Sequence, residues 1–129
     1  MDRKFVMIGL LYAVAGMVLG NVMAATKDHG QLVTHAHIML VGFVVSFIYG
    51  LCHRLWLDNA ASLLARVQFW LHQCATVVLV IGLFLFYGGY VPLERIDPVL
   101  AGASMVVLLG MILMTYMFAR STKPGVTSP

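Results

Sequence analysis

Charge is scarce in this chain. Asp, Glu, Lys and Arg make up 10% of its 129 residues, against about a quarter in an ordinary soluble domain. Too few charges remain to coat a water-facing surface, which excludes a soluble globular protein. The acids Asp2, Asp28, Asp58, Glu94 and Asp97 all fall at the ends of apolar runs or between them, so the sequence places no proton-loading carboxylate inside a span. Cysteine is scarcer still. Cys52 and Cys74, both within apolar segments, make no disulfide framework, and the absence of C-x-x-C-H excludes covalent attachment of a c-type haem. The net charge of +3 comes from basic residues scattered singly, which is not a nucleic-acid signal.

What the chain has in abundance is apolar length. With 61% hydrophobic residues and a mean hydropathy of +0.94, it reads as all-α: a polytopic membrane four-helix bundle in one domain, 1–129. A span needs about 20 apolar residues. The expected spans are 4–25, 32–53, 62–87 and 99–118, followed by a polar tail, 120–129. Arg3 and Lys4 with the small pair Ala24–Ala25 have the flavour of a signal peptide, but the apolar run is longer than a signal core, so it is read as a retained span. Thr26 to Gln31 makes the first turn, and Asp58–Asn59 breaks the chain between the second and third spans. Gly88–Gly89 with Pro92 ends the third, and Glu94–Pro98 is read as a loop. With the N-terminus inside, Arg3, Lys4, Arg54, Arg66, Arg120 and Lys123 are cytoplasmic and only Lys27 and Arg95 are outside. That bias follows the positive-inside rule. Both termini are then cytoplasmic in a bacterial-type inner membrane.

The stretch Thr34-His35-Ala36-His37-Ile38-Met39-Leu40-Val41-Gly42 carries the chemistry. Ionisable groups inside a membrane mark functional sites by default, and neutral imidazole is the commonest metal ligand. Residues two apart on a helix are turned by about 200° and separated by about 3 Å. His35 and His37 therefore point to nearly opposite sides, which disfavours one compact copper or zinc site and allows one site on each flank. The bland alternative is a pair of interfacial histidines bonded near the headgroups. His72 should lie about 10 Å or more deeper than His37, too deep to share its ligand; it is a second metal site, a proton-path residue or, preferentially, a core histidine bonded to Gln73 or Thr76. His53 reads as a boundary residue beside Arg54, and His29 as part of a solvated turn. Gly42, Ser46 and Gly50 form a flat stripe open to a neighbouring helix or a planar cofactor. Gly16-x-x-x-Gly20 on the first span permits close helix approach. Lys27 and Arg95, at the level of the histidines, would pair with carboxylates such as haem propionates.

The run from Thr34 to Phe43, continuing to Ile48-Tyr49-Gly50, resembles the haem–copper (cytochrome c) oxidase subunit I superfamily. The resemblance implies that one histidine of the H-x-H pair serves a haem on one side of the helix and the other a haem on the opposite side. It also implies a twelve-helix plan of three arcs, which a homotrimer of four-helix chains would reproduce with haem between subunits. The chain departs from the family in lacking a recognisable copper-site histidine arrangement, so oxygen reduction with proton pumping is not expected. The expected function is a membrane b-type haem protein that transfers electrons with a respiratory-chain partner or binds a diatomic gas, rather than a complete oxidase. Haem b would be held by His35 and His37 as axial ligands, with Gly42 packing on it and Met39 the alternative ligand. Two readings compete. Nine methionines, with Met105, Met111, Met114 and Met117 on the fourth span, suit copper handling. A cofactor-free accessory subunit of a respiratory complex is the other.

Overall fold

The computed structural model describes residues 1–58 and 62–121. Asn59 of the expected polar break, Lys123 and the tail from residue 122 lie outside the described residues. Four long helices result: α1 (Asp2–Thr26), α2 (Leu32–Leu55), α3 (Leu63–Tyr87) and α4 (Leu93–Arg120), each long and apolar enough to cross a membrane. Short turns force neighbours to run antiparallel. Asp2, Leu55, Leu63 and Arg120 therefore gather at one end, the N-terminal end. Thr26, Leu32, Tyr87 and Leu93 gather at the other, the histidine end.

Local chemistry sets the helix limits. α1 closes with Lys27 in the left-handed conformation (φ 57°, ψ 21°), and the Asp28 side chain then accepts from the Gly30 amide at 3.0 Å. Ser62 caps α3, its hydroxyl accepting from the Ala65 amide at 3.1 Å. The fourth helix corrects the sequence expectation. Glu94–Pro98 is not a loop, because α4 begins at Leu93, directly after Pro92. The Pro92 carbonyl accepts from the Arg95 and Ile96 amides, and Glu94 places an acid in the first turn, where the helix dipole favours it. Pro98 lies inside α4, only its sixth residue. A missing N–H costs least near a helix start, where carbonyls still reach water.

α2 is not uniform. Residues Ile38–Val44 form a π-helical stretch between two α-helical pieces. Such stretches widen the helix and turn side chains away from the α-helical register, often at functional sites.

The helices pair as two hairpins, α1 with α2 and α3 with α4, joined mainly through α2 and α3. Lipid gives helices no hydrophobic drive to associate, so close packing of small residues must do it. Along the α1–α2 seam, Gly9 lies under the Phe43 carbonyl, and Gly50 sits against Val6, Phe5 and the Asp2 carbonyl. Toward the N-terminal end the hairpins are bridged by large side chains instead. Phe5, Tyr49, Phe69, Met114 and Met117, one or more from each helix, make the main core there. Phe5 is fully buried, edge-on to Phe69 at 4.9 Å and to Tyr49 at 5.5 Å. A smaller cluster of Leu79, Leu83 and Ala103 joins α3 to α4 nearer the histidine end. The best-buried span is α3, with 44% of its apolar window buried against 17–28% for the others. On α3 the polar residues Gln68, His72, Gln73 and Thr76 are all buried.

Candidate functional site

His35 and His37 stand in the first two turns of α2, both half-buried. His35 turns toward α1. Its Nδ1 lies 2.8 Å from the Gly16 carbonyl, and its ring covers Gly20, where a Cβ would come within 3.0 Å of Cε1. The Gly16-x-x-x-Gly20 groove is thus a seat for an imidazole within the same chain. His37, about 200° further round, leaves that flank, and its Nδ1 lies 2.8 Å from the Val33 carbonyl one turn back.

Both contacts fix chemistry. A carbonyl oxygen only accepts, so each Nδ1 must carry the proton. In the neutral ring, Nε2 then presents its lone pair. Histidine ligands are commonly held in this way, with the far nitrogen donating to a carbonyl and the near one free for a metal. No group of three or more His, Cys, Asp or Glu gathers into a metal-binding cluster among the described residues.

The remaining expected residues divide sharply. Gly42 does not present a flat surface to a cofactor. A Cβ there would lie 2.6 Å from Tyr12 Cγ and 3.0 Å from Tyr12 Cβ, so α1 already occupies the stripe, just as it does at Gly50. Met39 is likewise engaged, its Sδ packed directly on Gly16. Lys27 and Arg95 are both exposed at the histidine end, and neither forms an ion pair among the described residues. Gln31 and Thr34, beside them, are committed to structure. Thr34 donates to Gln31 Oε1 at 2.6 Å, and Gln31 Nε2 donates to the Phe84 carbonyl of α3 at 3.0 Å. A cavity of about 360 Å³ opens next to this bridge, lined by residues including Met23, Asp28, Gln31, Phe84 and Tyr90.

His72 is fully buried, and its partner comes from another helix. Nε2 lies 3.2 Å from Ser46 Oγ of α2. Gln73, its sequence neighbour, donates to the same hydroxyl at 3.4 Å rather than to the histidine. Ser46 is nine residues past His37, so His72 sits about 13 Å below that histidine at 1.5 Å per residue and shares no ligand with it. His53 keeps its place near the end of α2 but faces inward. It is 4% exposed and stacks on Phe5 at 5.6 Å, because the first turn of α1 covers it.

The methionines of α4 do not form one lane. Met114 and Met117 are buried in the core, while Met105 and Met111 are exposed on the helix surface. Met111 Sδ accepts from the Tyr49 hydroxyl at 3.4 Å. A copper path would need them stacked along one face.

No family model matches the chain, and no curated protein or solved structure resembles it significantly.

Proposed function

We propose that this chain is an integral membrane b-type haem protein, with the haem bound near the histidine end by Nε2 of His37. The observation that carries the reading is the Nδ1 contact to a backbone carbonyl at each histidine. It sets the tautomer that a metal ligand requires, at two residues whose presence in an apolar span otherwise has only a desolvation cost. His35 has the same tautomer, but its ring rests on Gly20 of α1, on the opposite flank, so it would hold a haem only on that side of the helix. His37 is on the flank away from that groove. In the homotrimer that the twelve-helix plan suggests, His37 rather than His35 would face the next subunit.

When bound, the haem supplies one-electron chemistry or a binding site for a diatomic gas. The protein's part is to orient imidazole through the Val33 and Gly16 carbonyls, to exclude water with the apolar faces of α1 and α2, and to offer Lys27 and Arg95 to the propionates. One imidazole leaves an open position for a gas; two favour electron transfer. The positive-inside bias supports an orientation with the histidine end outside, and on this reading the membrane is a bacterial-type inner membrane and the partner a respiratory-chain protein. The test is a reduced-minus-oxidised spectrum of protein purified in detergent from cells with ample haem. A b-type spectrum is expected. Pigment-free protein would overturn the reading and leave the accessory-subunit role in its place.

A further inference from the structure

The interior of the bundle holds polar groups that the haem reading does not use; one of them, Gln68, is turned toward α4, its Nε2 donating to the Gly110 carbonyl at 3.1 Å. Among the described residues, Gln68 Oε1, Gln73 Oε1, Thr76 Oγ1, His72 Nδ1 and both ring nitrogens of His53 are buried with no hydrogen-bond partner. All five residues are 6% exposed or less. They are not scattered. Counted from the N-terminal end of the bundle at about 1.5 Å per residue, they stand at about 3 Å (His53), 8 Å (Gln68), 14 Å (His72), 15 Å (Gln73) and 20 Å (Thr76). In height they run from one end of the bundle to its middle. The foot of this series lies beside the Asp2–Arg54 ion pair, 3.7 Å across and partly open to solvent. Its head is closed by Leu79 and Leu83 of α3, both buried.

In hydrocarbon, each polar group left without a partner is costly, and spanning segments must satisfy them internally. Buried water is the usual partner, making about three bonds to such groups. The inventory suits water. Gln73 donates to Ser46 Oγ, which leaves the hydroxyl proton free to point at His72 Nε2, 3.2 Å away. In that tautomer His72 Nδ1 carries a proton. The Val41 carbonyl of the π-helical stretch faces the ring without the geometry of a hydrogen bond. One donor on His72, two accepting amide oxygens and a hydroxyl match what water donates and accepts. Gln68 and Thr76 are about 12 Å apart along α3, too far for a single molecule.

We propose that the interior of the bundle along α3 binds a short chain of water that enters at His53 and ends at Thr76, with His72 its proton-exchanging member. Tyr49 and Phe5 form its walls. The Tyr49 ring is edge-on to His72 at 5.0 Å, and Phe5 is 6.4 Å from it. The Tyr49 hydroxyl is turned to Met111. The chain stops below the His35–His37 level, so it carries protons into the membrane without carrying them across. Protonation at His72 would compensate charge changes inside the bilayer, and the inference stands whether or not haem is bound.

The experiment is nuclear magnetic resonance of the full chain in detergent with ¹⁵N-labelled histidine. The His72 signal is identified by its loss in His72→Phe. A magnetisation-transfer peak between water and the His72 ring proton is expected, together with exchange in D₂O within minutes. His53→Phe keeps an aromatic ring stacked on Phe5 and should slow that exchange at least tenfold, while His53→Gln, which retains polar atoms, should restore it. A His72 ring proton that shows no water peak and survives for hours in D₂O would overturn the proposal. So would exchange unchanged in His53→Phe, or rapid proton leak through the protein in sealed vesicles, which a dead-ended chain forbids.

Discussion

Gly42→Val tests how α1 and α2 meet. A Cβ at Gly42 would stand 2.6 Å from Cγ, 2.7 Å from Cδ1 and 3.0 Å from Cβ of Tyr12. Two of those atoms are at the root of the tyrosine, so swinging the ring does not clear them, and the helices must separate. Overpacking of this kind costs about 1–3 kcal/mol, sometimes more, and valine adds two methyls beyond the Cβ. A loss of about 2–3 kcal/mol is expected, roughly a 30- to 140-fold change in the unfolding equilibrium at tenfold per 1.4 kcal/mol. Gly102→Val is the control, because a Cβ there meets nothing within 4 Å; its effect should stay within about 0.5 kcal/mol. Unfolding by sodium dodecyl sulfate in mixed micelles, followed by circular dichroism, reads both. Adding Tyr12→Ala to Gly42→Val should recover at least about 1 kcal/mol relative to the sum of the single changes, as coupled neighbours do. If Gly42→Val is as stable as Gly102→Val, or the double change is simply additive, α1 does not occupy the stripe and Gly42 is open to another occupant.

Three further outcomes follow from the same packing. Ser46→Ala removes the shared partner of His72 and Gln73 and should cost about 1–2 kcal/mol in the same titration, given about 0.6 kcal/mol for an average bond between membrane helices plus the group left unpaired. Phe5→Ala empties a site of 0% exposure touching Tyr49, Phe69 and His53, and should be the most destabilising of the set at about 3–5 kcal/mol. Arg54→Gln loses a 3.7 Å pair whose arginine is 75% exposed, so its effect should stay below about 1 kcal/mol and shrink in salt.

The helices were legible in the sequence because apolar length alone requires them. Four runs of sufficient hydropathy leave few other arrangements in a bilayer, and breakers such as Gly88–Gly89 mark their ends. What was not legible depends on contacts between runs. Nothing in Ile38–Val44 distinguishes π from α hydrogen bonding, since both keep the same apolar residues in the membrane. Glu94–Pro98 reads as a loop by composition, yet the Pro92 carbonyl and an acid in the first turn suffice to start α4 there. The depth of His72 below His37 followed from counting residues, but its partner, Ser46, is on another helix and carries no local signal. His53 beside Arg54 looks interfacial until Phe5, nearly fifty residues earlier in the chain, is laid over it. The small-residue stripe at Gly42 is visible in the sequence, but its occupant, Tyr12 of α1, is defined only once the helices are packed.

The most direct measurement is a titration of haemin into detergent-purified apoprotein, following the Soret band for the parent, His37→Ala and His35→Ala. Saturable binding with a shifted Soret band is expected in the parent, with loss of that band in His37→Ala and a weaker or spectrally altered complex in His35→Ala. A parent that takes up haemin no differently from His37→Ala would contradict the haem reading.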